Sequence, residues 1–171
     1  MNIRPEESGD YEAIFAVHSH CFPTTAEARL VDLLRAAGRL CVSLVAEEDR
    51  MENNRVIVGH VAFSPVTTEK GAVGIGLAPV AVLAAHRRRG IAAELIRRGL
   101  TACQTAGYTW AVVLGEPTYY SRFGFQPAAR YGLSDEYGGG DYFQAFELVA
   151  GKMPTAGGVV KYAPEFAMFA W

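Results

Sequence analysis

Val80-Ala81-Val82-Leu83-Ala84-Ala85-His86-Arg87-Arg88-Arg89-Gly90-Ile91-Ala92 is the stretch whose reading decides the fold. Its first half ends an apolar run from Gly71 to Leu83 that reads as a strand buried on both faces. Its second half opens a helix over Gly90 to Ala106: Ala92, Leu95, Ile96, Gly99, Leu100 and Cys103 recur at i, i+3, i+4 spacing, and Gly107 ends it. Three consecutive arginines and a glycine join the two. The first N–H groups of a helix lack intrahelical partners and lie at the positive end of its dipole, so such a turn can hold a diphosphate. Gly90 and the small Ala92 let a ligand approach the backbone, and the arginines add charge-assisted bonds. Cations at a helix N-terminus oppose the dipole, so an anion is expected to offset them.

Outward from this turn, Tyr108 to Gly115 reads as a second buried strand, which makes Gly71 to Gly115 one parallel β-α-β crossover. Upstream, Met1 to Arg4 is a short strand and Ser8 is the N-cap of a first helix carrying Tyr11, Ile14, Phe15 and His18 on one face. Thr24 and Glu27 form the T-x-x-E capping box of a second helix that stops at Gly38. Leu40 to Glu47 and Arg55 to Val66 read as antiparallel strands joined by an exposed polar loop, Glu48 to Asn54. Pro117 opens a short helix through Tyr120 that closes at Gly124, and a last antiparallel section lies around Tyr142 to Val149. The expected class is α/β: a mixed, mostly antiparallel sheet flanked by helices.

Composition limits the partners. The 171 residues are 50% hydrophobic and carry 16 Lys and Arg against 18 Asp and Glu, a net charge of −2. That balance is an ordinary globular one and does not favour nucleic acid or an anionic membrane, so an anionic ligand must be captured locally. Cys21, Cys41 and Cys103 show no C-x-x-C or zinc spacing and read as reduced residues of a cytoplasmic protein. His18, His20 and Cys21 do not converge as metal ligands, so no metal is expected. Gly74-Ile75-Gly76 lacks the third glycine of a dinucleotide fingerprint, and neither a G-x-S-x-G elbow nor a phosphate-binding G-x-x-x-x-G-K loop occurs.

Two motifs together resemble the GNAT superfamily of acetyl-CoA-dependent N-acetyltransferases. Arg87-Arg88-Arg89-Gly90-Ile91-Ala92 matches the family's R/Q-x-x-G-x-G/A signature, and Tyr120-Ser121-Arg122-Phe123-Gly124-Phe125 matches its Tyr placed four residues before the Gly of a Gly-Phe pair. The run Gly115 to Tyr120 and the segment Tyr162 to Phe166 look like a branch of predicted bacterial acetyltransferases. The resemblance implies a single domain over 1–171, with a core to about residue 149 and a tail from 150. It implies acetyl-CoA as cosubstrate, with the strand edge at Val80, Ala81 and Val82 along the pantetheine arm and an amide near Val82 polarising the thioester carbonyl. The amides and side chains of Arg87, Arg88, Arg89, Gly90, Ile91 and Ala92 would hold the pyrophosphate, and Tyr120 would protonate the departing thiolate.

Transfer to nitrogen needs a neutral amine. Deprotonating a lysine-like amine at pH 7 costs roughly 4.6 kcal/mol, and an α-amine nearer 1.4 kcal/mol. Candidate bases are Glu27, Glu116 and His60, with a water-borne proton path as the alternative. The expected acceptor is a small-molecule or peptide amine. A non-catalytic acyl-CoA sensor of the same fold is the rival reading. Aromatics near Phe166 and Trp171, read as exposed, would admit a homodimer.

Overall fold

A computed structural model describes residues 1–51 and 53–171. In chain order, β1 (Asn2–Pro5) leads through a short 3₁₀ turn to α1 (Tyr11–Cys21) and α2 (Ala26–Ala36); β2 (Val42–Arg50), β3 (Asn54–Thr68) and β4 (Val73–Val82) follow. Then come α3 (Ile91–Thr105), β5 (Trp110–Leu114), α4 (Pro117–Tyr120), β6 (Gln126–Pro127), β7 (Leu133–Asp135), β8 (Phe143–Glu147) and β9 (Gly158–Lys161). The sheet order is β1-β2-β3-β4-β5-β8-β6, with β9 pairing both β3 and β7. The expected architecture is present: the sheet is mostly antiparallel and β4–β5 is the parallel crossover. A second, short parallel pair, β7–β9, was not expected. No helix among the described residues is long and apolar enough to cross a membrane.

The helix patterns act as read. Leu95, Ile96, Leu100 and Cys103 of α3 are buried on one face of the sheet against Val61, Phe63 and Leu77. Gly99 is where α3 comes closest, since a Cβ there would run into the Phe63 ring. The other face carries α1 and α2, with Ile14 and Val31 packed on Val45 and Ala62. A fully buried Leu or Val contributes about 1.5–3 kcal/mol, so these two stripes fix both helices against the sheet.

Three local expectations fail. The Thr24–Glu27 box does not form: α2 starts at Ala26, the Thr24 hydroxyl accepts from the Ala26 amide at 3.2 Å, and the Glu27 side chain caps nothing. A capping box appears instead at Glu7 and Asp10, one residue before the expected Ser8. The exposed loop expected over Glu48 to Asn54 is mostly strand and spans Glu52, which lies outside the described residues. Glu48 is a β2 residue that accepts from Arg89 at 2.9 Å and meets His86 at 2.9 Å.

The tail is no appendage. Val160 and Lys161 of β9 pair with Thr68 and Thr67 at the end of β3, which outruns β2 there. A 3₁₀ turn, Pro164–Met168, then folds over α2, pinned by Glu165 to Arg39 at 2.8 Å. Phe166 is therefore buried, and the aromatic patch expected to admit a dimer is turned inward at that residue.

Candidate active site

The site begins with a parting of strands. β4 and β5 pair only at Ile75–Ala111 and Gly76–Val112. Just beyond, the β3–β4 register shifts: Val61 faces Val80 but Phe63 faces Leu77, so β4 carries a bulge at Ala78–Pro79. A bulged strand bends, and here β4 leaves β5. The Leu83 amide bonds the Val58 carbonyl at 2.8 Å, which makes His60–Ala81 a hydrogen-bonded pair and Gly59–Val82 and Val61–Val80 non-bonded ones. Backbone groups of Val80 and Val82 thus point into the gap, whereas those of Ala81 are spent on β3. The Val82 carbonyl is already taken, accepting from Arg87 Nε at 3.1 Å and Cys21 Sγ at 3.3 Å.

One end of the gap runs into the arginine turn. Gly90 (φ 78°) is the N-cap of α3, and Arg88 (φ 64°) shares its left-handed conformation. The first α3 bond runs from the Glu94 amide to the Gly90 carbonyl at 3.0 Å, so the amides of Ile91, Ala92 and Ala93 start the helix without carbonyl partners. A Cβ at Gly90 would meet nothing within 4 Å, so the turn faces open space. Arg87, Arg88, Gly90, Ile91 and Ala92 line a concavity of about 190 Å³ here. The arginines divide their labour: Arg87 lines the concavity and braces Val82, Arg88 lines it too, Arg89 pairs with Glu48 away from it, and Arg122 enters from α4's C-terminal side, its guanidinium 4.5 Å from the Tyr119 ring centre.

At the other end is a cavity of about 530 Å³ between α1, α2, the parted strands and the C-terminal segment. Tyr120 lines it; its ring lies against Gly115, where a Cβ would collide with it, and burial pushes its hydroxyl up to about 12. A phenol of that kind holds its proton at neutral pH. Glu27 also lines the cavity, with Oε2 fully buried and bonded to no protein group among the described residues. Tyr162 on the same wall has a buried, unpartnered hydroxyl.

The two other candidate bases lie elsewhere. Glu116 is exposed, accepts from the Thr118 hydroxyl at 3.2 Å and is absent from the cavity lining. His60 is fully buried in a chain of hydrogen bonds: Nδ1 meets His18 Nε2 at 2.7 Å and Nε2 meets Ser43 Oγ at 2.7 Å. Ser43 donates to Glu6, which pairs with Arg35 at 2.7 Å. Because the Ser43 hydrogen goes to Glu6, Ser43 accepts from His60 Nε2–H, and His60 Nδ1 accepts from His18 Nε2–H. Burial lowers the pKa of both imidazoles, His18 to about 4, and His60 also feels His18 and Arg35.

Comparison with known proteins gives the family. Residues 2–128 match the model of an acetyltransferase (GNAT) domain. The chain is 37% identical over 171 residues to the uncharacterized N-acetyltransferase YhbS of Escherichia coli K12, covering 99% of this chain and all of that one. The chain belongs to the GNAT acetyltransferase family. The crystal structure of E. coli YhbS in complex with CoA superposes with a TM-score of 0.91 at 37% identity, covering 99% of this chain and 93% of that one. A GNAT acetyltransferase from Brucella melitensis in complex with acetyl-CoA gives 0.79 at 36% identity, over 96% and 97%. In GNAT terms the domain match stops at residue 128, yet Tyr137, Tyr162, Phe166 and Trp171 wall the cavity. The loop Tyr131 to Asp141, expected from the sequence to shape the pocket, supplies Tyr137, whereas sequence reasoning missed Tyr162, Phe166 and Trp171 as walls and missed Arg122, which stands two residues after Tyr120 in the motif that drew attention to that tyrosine.

Proposed function

We propose that this GNAT protein moves the acetyl group of acetyl-CoA onto a primary amine by direct attack within a ternary complex. The observation that carries the reading is the gap between β4 and β5, with amides of an arginine-rich helix start that have no carbonyl partner among the described residues at one end, and Tyr120 and Glu27 lining a cavity at the other. The CoA and acetyl-CoA complexes of the two relatives support acetyl-CoA as the cosubstrate. Amides from Arg88 to Ala93 and the Arg122 guanidinium bind the pyrophosphate. Val80 and the Val82 amide bond the pantetheine arm as an added strand would. Glu27 accepts a proton from the ammonium, and the freed nitrogen forms the new C–N bond at the acetyl carbonyl as the C–S bond breaks. Tyr120 gives its proton to the departing sulfur and is reprotonated by the second proton of the amine. No covalent enzyme intermediate is needed.

Calorimetry with acetyl-CoA tests the cosubstrate. Wild type should bind, and Gly90→Glu, which strains a left-handed residue and puts an anion in the cradle, should bind at least about tenfold more weakly, a loss of about 1.4 kcal/mol. Absence of wild-type binding refutes the reading. Binding without thiol release for any amine would make the protein an acyl-CoA sensor instead.

A further inference from the structure

We infer that the acceptor is a compact primary monoamine on an apolar, aromatic-compatible body, such as an arylalkylamine, with its ammonium held by Glu27 and its body against the rings of the C-terminal segment. The inference rests on the acetyl-transfer reading above and narrows it. Glu27 is the one acidic side chain in the cavity lining and no basic side chain joins it there, so a single cation is matched and an acceptor carboxylate or phosphate is not. Burying an unpaired charge costs several kcal/mol, so a second charge of either sign on the acceptor is selected against. Two polar atoms buried in this wall, Glu27 Oε2 and the Tyr162 hydroxyl, have no protein partner among the described residues, so the wall holds acceptors that no cation of the protein neutralises.

The remaining wall is apolar. Phe22, Leu30, Phe166 and Trp171 belong to it, with the Tyr162 and Phe166 ring centres 5.1 Å apart and those of Phe166 and Trp171 6.2 Å apart. Aromatic faces hold both an apolar body and a neighbouring cation. Size points the same way: the about 530 Å³ must also admit the acetyl end of the cosubstrate beside Val80 and Tyr120, which suits a compact acceptor.

The test is a thiol-release assay with acetyl-CoA and three probes of matched reach: 2-phenylethylamine, L-phenylalanine and spermidine. The expected result is a kcat/KM for 2-phenylethylamine at least about 100-fold above either other probe, and a rise in its KM of about tenfold or more in Glu27→Gln. Tyr162→Phe, which removes one oxygen and keeps the ring, should raise the same KM more modestly. Equal or better use of L-phenylalanine or spermidine overturns the inference, as does an unchanged KM in Glu27→Gln. Acetyl-CoA binding is measured in parallel on each protein. If wild type binds acetyl-CoA and yet ignores 2-phenylethylamine, the acceptor class is wrong while the cosubstrate stands; if it does not bind acetyl-CoA, both fall.

Discussion

The two buried histidines make stability fall as the pH drops below 6.5. In the folded protein His18 stays neutral down to about 4 because burial disfavours its charge, whereas the unfolded chain protonates it near its ordinary 6.5. Above 6.5 neither state binds the proton and the folded state keeps its full stability. Between 6.5 and about 4 only the unfolded chain does, so stability drops by about 1.36 kcal/mol per pH unit, reaching roughly 2 kcal/mol at pH 5 and about 3 kcal/mol once the folded pKa is passed. His60 shifts in the same direction and adds to the loss, and the His18 share alone at pH 5 is a large part of the about 5–15 kcal/mol that domains possess. Geometry agrees: His18 Nδ1 is buried without a partner, so a proton added there would find no acceptor. Urea unfolding at pH 7.5, 6.5, 5.5 and 5.0 reads the slope, and His18→Gln should remove the His18 share of about 1.36 kcal/mol per pH unit. Constant stability across that range, or an unaltered slope in the variant, would refute the reasoning.

Tyr120→Phe should lower kcat by about 10²-fold or more while leaving acetyl-CoA affinity nearly as it was, checked by steady-state kinetics beside calorimetry. An unchanged kcat removes Tyr120 as the acid. For Gly99→Ala, the helix gains about 1 kcal/mol of propensity but the methyl collides with the Phe63 ring, an overpacking cost of about 1–3 kcal/mol. Chemical denaturation should therefore show a net loss of about 1 kcal/mol, and a gain would mean that the ring moves aside.

Elements with strong local signals were legible in the chain itself. The crossover strands and α3 carry a change from continuous apolar runs to 3.6-residue spacing, and Gly90 and Gly107 stand where α3 starts and stops. The short strands β6, β7 and β9 escaped because two to four residues hold no periodicity, and their pairing is set by distant partners. Glu27 shows the other kind of failure. A capping pattern explained it locally, but the helix begins one residue later than the pattern requires, and the carboxylate is released toward the cavity. The cavity walls come from Phe22 just after α1, from α2, β4, β5 and α4, and from three later segments, so no single window of sequence outlines it.

Trp171, the last residue of the chain, lines the cavity and anchors itself by donating its indole N–H to the Phe166 carbonyl at 2.7 Å. Any tag, linker or fluorescent label attached at Trp171 emerges beside this cavity and competes for its space. Met1 is 61% exposed beside β1, at the sheet margin three strands from β4, and is the end by which the protein can be handled, immobilised or joined to another without disturbing its chemistry.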